Sequence, residues 1–528
     1  MIKKSHAFYA DKICTILLAI IFTILIVIHF DVNMSHFNAQ MDADIAADTL
    51  LGPVLYENGF TTPSTWYGST EVCVISAPNI AAFLYPITGY DMNVSMGLAC
   101  NILIILFFTT MFIYYSQIHI NLCESFAAAI IILSLSDVMS ENQSILFLWA
   151  AYYASHFVTL YIISILYTVS LKKDKVPILF YPIGLALALA NSLQGMHAAL
   201  FCYVPLLGVE ILRRFVNLIK TKKFGSNIML TIWLFVITLT SVFGADFFGS
   251  YNLGASRNIR HAPEKFIEYV WPYLGRVINV KLAPILIWTI CIIGILGYII
   301  LATDLLKNNS ASNAVRSMPQ ESESETGDYL RWSALSHVAS LVVCVLSTTF
   351  TTVEAAPRYY IMEIFIVAVG FALVMNRFRN SIGIYLSVLV MIVGIMASTY
   401  YYSALIKGDN SAGTDEYKVV EWMRDNGYEY GYATFDFANT ITVMSNNDVK
   451  VRSINSFREM EGCKWLTDSV WYPPTKDTAG ETCYIVTENT EGDFKTWMAD
   501  NNPQVIKSQK LGRFMVYVLD HDYIVWVD

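Results

Sequence analysis

Charge is scarce in this chain. Only 15% of its 528 residues are Asp, Glu, Lys or Arg, whereas 55% are hydrophobic. A soluble chain of this length would need far more polar surface, so an ordinary aqueous globular protein is excluded. Cysteine is sparse and unpatterned. Most of the nine lie inside apolar runs (Cys14, Cys100, Cys202, Cys291, Cys344), where they read as small buried hydrophobes. No Cys-x-x-Cys pair and no Cys/His spacing points to zinc. No glycine-rich loop follows a strand, so a nucleotide-phosphate cradle is unsupported. Basic excess is absent too. The net charge is −9, and the part after Ser403 carries 12 Lys/Arg against 20 Asp/Glu, which argues against nucleic acid as a partner.

Long apolar runs are what the chain has in abundance. Stretches of about 17–25 residues are what crossing roughly 30 Å of hydrocarbon requires. About eleven spans are expected, near 13–30, 93–115, 125–136, 145–170, 177–191, 197–212, 227–246, 281–303, 333–352, 359–376 and 382–402. The first follows Lys3 and Lys4 like a secretory signal, but it is long and lacks a small-residue cleavage site, so a retained helix is expected. Lys172/Lys173/Lys175, Arg213/Arg214 with Lys220/Lys222/Lys223, and Arg377/Arg379 then fall on the same side as the N-terminus, which the positive-inside rule makes cytoplasmic. Loops 31–92 and 247–280 and the tail 404–528 fall on the other side. The stretch 307–328 reads as a polar, low-complexity connector.

The tail has its own pattern. Residues 415–426 read as an amphipathic helix capped by Thr414 and ended by Gly427. Residues 428–435, 449–454, 483–487 and 514–519 read as strands, and 494–501 as a short helix with Asp493 as its N-cap. The expected fold class is therefore a polytopic α-helical membrane protein, residues 1–403, with an extracytoplasmic α/β domain, residues 404–528. Cys463 and Cys483 share that domain and could pair if it faces an oxidising space.

Two acidic clusters follow the first span: Asp42-Ala43-Asp44, then Trp66-Tyr67-Gly68-Ser69-Thr70-Glu71. Residues 42–57 read as a helix along the membrane surface, with Ile45, Thr49 and Val54 near one face. Asp42 and Asp44 stand about 200° apart on a helix, so only one can point into a shared cleft. Each is either an N-terminal cap or a base able to take a proton from a hydroxyl, and Asp44 is the preferred base, Asp42 the second. A carboxylate beside apolar surface is costly unless paired or functional, so Glu71 could orient an acceptor, hold a divalent ion or pair with an arginine. Trp66 and Tyr67 suit either the membrane interface or a sugar face. On the same side, Arg257, Arg260, His261 and Lys265 could hold a phosphate or touch lipid headgroups. Arg358 could join them or pair with Glu354. His156 and His197 read as structural histidines.

This order of features resembles the GT-C superfamily of polyprenyl-phosphate-sugar-dependent transferases, in particular the protein O-mannosyltransferase and aminoarabinose-transferase branch. The resemblance rests on the first span, Asp-x-Asp heading a surface helix, and Trp66 to Glu71. It extends through Tyr152-Tyr153-Ala154-Ser155-His156, Gly195-Met196-His197 before Pro205-Leu206-Leu207, Arg358-Tyr359-Tyr360, and the tail from Tyr430 to Val451. It implies an enzyme of the cell membrane with no certain cofactor. Its donor would be a sugar on a polyprenyl phosphate, and its acceptor a glycan, lipid or protein at the outer face. The chain departs from the family at Asp44-Ile45, where an Asp-Glu pair is usual, and at His197, where related sequences tend to carry Arg. An exporter of lipid-linked glycans and a non-catalytic receptor or scaffold are the rival classes. An exporter would be expected to show internal repeats or charged, interrupted spans.

Overall fold

A computed structural model describes residues 2–68, 74–136, 146–149, 151–222, 227–247, 260–308, 330–473 and 478–527. The first helix, α1 (Ile2–Asp31), is followed by α2 (Ala43–Glu57), the two-residue strand β1 (Trp66–Tyr67) and α3 (Ala77–Leu84). Then come α4 (Met92–Gln117), α5 (Leu122–Leu135), α6 (Ala154–Lys173), α7 (Phe180–Leu193), α8 (Val204–Thr221) and α9 (Ile228–Phe247). After them run α10 (Pro284–Asn308), α11 (Leu335–Phe350), α12 (Met362–Arg377) and α13 (Gly383–Tyr401). The C-terminal part mixes α14 (Asp415–Asp425), β2 (Tyr430–Thr434), α15 (Phe435–Met444), β3 (Lys450–Ile454) and β4 (Thr467–Asp468). It ends with β5 (Thr478–Thr487), α16 (Glu491–Asn501), β6 (Val505–Leu511) and β7 (Phe514–Asp522).

Among the described residues, seven helical stretches are long and apolar enough to cross a membrane, and three shorter apolar helices accompany them. That suits a multi-pass membrane protein. Each of the eleven expected spans overlaps a helix, but four fall short of a span. Three are the shorter helices 122–135, 180–193 and 228–244. The fourth, expected at 197–212, continues into α8, an amphipathic helix whose Glu210, Arg213, Arg214 and Lys220 break the apolar run. Within the span expected at 145–170, α6 runs from Ala154 to Lys173.

Contacts divide the chain into two compact units. One holds residues 1–29, 102–147 and 151–403; the other holds 30–101, 148–150 and 404–528. The loop 31–92 thus groups with the tail. In the helical unit, α10 and α12 approach backbone to backbone. A Cβ added to Gly297 or Gly370 would run into the facing main chain, so small residues set this contact. Polar groups there are netted together: Glu210 accepts from Arg213 Nε at 2.8 Å, Arg214 Nε at 2.7 Å and the Tyr167 hydroxyl at 2.8 Å. The two arginines used above to orient the chain are therefore buried ion-pair partners. Their i, i+3 and i, i+4 spacing from Glu210 was the available signal.

In the tail unit a five-stranded sheet has the order β3-β2-β5-β7-β6. β2 runs parallel to β3 and β5, while β5, β7 and β6 are antiparallel. Alternation along β5 places Cys483 and Ile485 in one apolar cluster with Val419, Met423 and Ile441, and Tyr484 and Val486 in another with Phe494 and Leu519. The Thr414 cap is present, its side chain accepting from Tyr417 N, and Gly427 takes a positive φ of 74° after α14. The last helix starts earlier than expected, at Glu491, leaving Asp493 inside its first turn. α15 and β6 were not expected: α15 is rich in β-branched residues, and β6 is an exposed edge strand without alternation. Cys463 and Cys483 are both free thiols, because Cys483 faces the apolar cluster of its own strand. Burial there pushes its thiol up to about 12.

Candidate functional site

The acidic loop is built around α2. Asp42 takes extended backbone angles and its Oδ1 accepts from Ile45 N at 2.8 Å, so this residue is the N-cap. Asp44 stands in the first turn with its side chain exposed. Beyond it, Ile45 through Gly52 are all buried, as are Val54 and Leu55. The expected surface helix is thus enclosed by protein along most of its length. Its apolar residues Ala47, Leu51 and Leu55 pack with Trp66, Ala82 and Leu466, with Phe435 and Trp471 at the edge. Asp48, which shares a face with Asp44, is 9% exposed and its charge is felt by the Cys100 thiol.

Trp66 and Tyr67 form β1, which pairs antiparallel with β4 in the register Trp66 to Asp468 and Tyr67 to Thr467. Trp66 is 8% exposed and lies edge-on to Trp471 at 5.7 Å, so its ring is spent on protein packing. Tyr67 is half-buried, 4.8 Å from Trp526, with Lys464 Nζ 5.9 Å from its ring centre. This corrects the reading of Trp66 as an aromatic facing lipid or sugar: the strand pairing turns it inward. Among the tail aromatics, Tyr472 is core and Trp465 is exposed. Trp471 is half-buried beneath the Arg452 guanidinium, 4.1 Å from its ring centre. Glu71 lies outside the described residues.

The helical unit carries the basic candidates. Arg257 lies outside the described residues; Arg260 and His261 are exposed. His261 Nδ1 is 3.2 Å from Glu264 Oε2. Lys265, read as part of the same cluster, turns instead to backbone. Its Nζ donates to the Thr351 carbonyl at 2.6 Å and to that of Val353. Burial lowers its pKa, and the neighbouring Glu354 charge opposes that shift. Lys265 therefore ties the loop to the C-terminal end of α11.

Three separate sequence motifs do come together in this unit. The Tyr153 hydroxyl is 3.1 Å from His197 Nε2, and the His156 and His197 rings stack at 5.7 Å. His156 Nδ1 is 3.1 Å from the Asn191 side-chain oxygen. His197 stacks on Tyr359 at 6.3 Å, and the half-buried Arg358 guanidinium lies 5.4 Å from that Tyr359 ring. Gly195, at φ 87°, makes the turn that delivers His197. The result is a connected set of two phenols, two imidazoles and a guanidinium drawn from the start of α6, the turn after α7 and the turn that precedes α12. Sequence spacing of 40 to 200 residues could not show that they meet.

Chemically, the tail unit offers an exposed carboxylate at a helix start, and the helical unit offers cationic and proton-sharing side chains. Among the described residues, no group of three or more His, Cys, Asp or Glu side chains could hold a metal ion. Compared with models of protein families and with curated proteins, the chain finds no match.

Proposed function

We propose that this protein is an inverting glycosyltransferase of the GT-C type, embedded in the cell membrane by about eleven helical segments with the N-terminus cytoplasmic and the tail outside. It would move a sugar from a polyprenyl-phosphate donor to an envelope glycan, lipid or protein. Asp44 takes the proton from the acceptor hydroxyl as that oxygen attacks the anomeric carbon. The sugar–phosphate bond breaks and the phosphate leaves with the electron pair. Arg257, Arg260, His261 and Arg358 are the cations proposed to meet the leaving phosphate, and Glu71 supports the acceptor or a divalent ion.

The observation that carries this reading is the division of labour at α2. Asp42 satisfies the helix start, and Asp44, two residues on, stands exposed on a helix held rigid by its burial. The meeting of Tyr153, His156, His197 and Tyr359 supports it further, because these come from motifs that carry the family resemblance.

The test is sugar transfer from a panel of radiolabelled polyprenyl-phosphate sugars by purified protein in detergent, with mixed envelope acceptors. Wild type is expected to transfer one label, and Asp44→Asn to lose roughly 10²- to 10⁴-fold, the usual worth of a positioned base. Asp42→Asn, which keeps a capping side chain, is expected to retain most activity. Equal rates in Asp44→Asn and wild type would remove Asp44 from the mechanism. Tight donor binding without turnover would favour transport instead.

A further inference from the structure

β2 is a reversal point in the tail sheet. The chain leaves it through α15 to reach β3 on one side, while β5 lies parallel to it on the other. In α/β sheets the crevice outside the carboxyl ends of strands at such a point is where ligands settle. A cavity of about 550 Å³ opens at this place, within the size range of small-ligand sites. It is lined by Thr434 at the end of β2, Phe435 and Asp436 opening α15, Asn455 after β3, and Glu488 and Asn489 after β5. The side chains of Asp436, Asn455 and Asn489 make no hydrogen bond to another described residue, so their donors and acceptors are available to a ligand.

The lining selects the ligand class. An anion would be drawn to the N–H groups at the start of α15, but Asp436 already occupies that first turn and Glu488 adds a second carboxylate. Arg513, the only cation among the lining residues described, is engaged by Glu416 and lies over the Phe437 and Phe514 rings at 4.7 and 5.1 Å. Among the described residues, no group of three His, Cys, Asp or Glu side chains could hold a metal ion here. What remains is a neutral molecule dense in hydroxyl groups. Each hydroxyl can donate to a carboxylate and accept from an amide, and the half-buried Phe435 ring offers an apolar face to a pyranose.

We propose that this cavity is a binding site for a neutral saccharide, held by Asp436, Asn455 and Asn489, and that the saccharide is the acceptor glycan. The acceptor role rests on the transferase reading above; the binding itself does not.

The experiment is ligand-detected saturation-transfer NMR on the full-length protein in detergent, with a panel of neutral monosaccharides and their oligomers. One saccharide is expected to bind wild type. Its affinity should fall about threefold in Asn455→Ala or Asn489→Ala, and roughly tenfold in the double variant, as loss of neutral hydrogen bonds implies. These substituted side chains are exposed, and unchanged hydrogen exchange in β2 and β5 will show that the variants are folded. Absence of saccharide binding, equal affinity in all variants, or displacement by inorganic phosphate would each overturn the assignment. Saccharide binding without turnover of any donor would leave this site standing and the transferase reading fallen. Turnover without saccharide binding would do the reverse.

Discussion

The two units bury arginine in opposite ways. In the helical unit, Arg213 and Arg214 are 5% and 6% exposed and share the carboxylate of Glu210, itself fully buried. In the tail unit, Arg452 is 8% exposed, its Nη1 has no hydrogen-bond partner among the described residues, and its guanidinium rests on Trp471. Burial lowers the Arg452 pKa to about 10, opposed by the fields of Tyr472, Tyr430, Tyr432 and Asp468. Among packed apolar helices, the charge is neutralised by a carboxylate one helical turn away. In a small domain with a wet surface close by, the electron-rich face of an indole and distant acidic groups suffice. Charge burial therefore follows what the surrounding element can supply, and not the arginine itself.

That contrast can be broken most sharply at Glu210. Glu210→Gln removes the carboxylate that two buried guanidiniums share and should cost about 3–5 kcal/mol, read as lost thermal stability of the detergent-solubilised protein. Replacing Glu210, Arg213 and Arg214 together by Leu and Met should recover most of that loss. If Glu210→Gln is neutral, the network is not what stabilises α8. In the tail, Trp471→Leu should cost about 2 kcal/mol through the lost cation–π contact. Hydrogen exchange confined to the sheet would register it, and an unchanged sheet would show that Arg452 does not need the indole. Thr414→Ala, which touches no buried charge, sets the scale for an ordinary tail contact. Loss of the cap on α14 should cost about 1 kcal/mol, seen as faster exchange in its first turn.

The smallest effect concerns pH. Burial raises the pKa of Asp522 above its ordinary 3.8, although the Tyr432 hydroxyl donates to it at 2.7 Å and Ile524 N at 2.9 Å. The folded tail then holds a proton that the unfolded chain has released, so stability falls as pH rises from 3.8 through the raised value. Asp522→Asn should flatten this dependence in tail unfolding followed across mildly acidic pH. A slope that persists in the variant would assign it to another group.

Local signals were the legible part of the fold. Apolar run length marked the long apolar helices, and Thr414 and Gly427 bounded α14 because caps and αL glycines act within one turn. The capping of α2 by Asp42 was likewise one of two readings available from Asp42-Ala43-Asp44, and geometry chose between them. β6 and α15 were missed because an exposed edge strand and a β-branched helix take their form from neighbours.

The sequence by itself determined that this chain belongs with a bilayer, where its long apolar helices lie, and that its tail folds as α/β, because hydropathy and capping are properties of short stretches. Only the tertiary structure decided that loop 31–92 joins the tail, that Trp66 turns inward against β4, and that Tyr153, His156, His197 and Tyr359 meet. Those contacts join residues far apart in the chain, and their free energy comes from packing that no local pattern encodes.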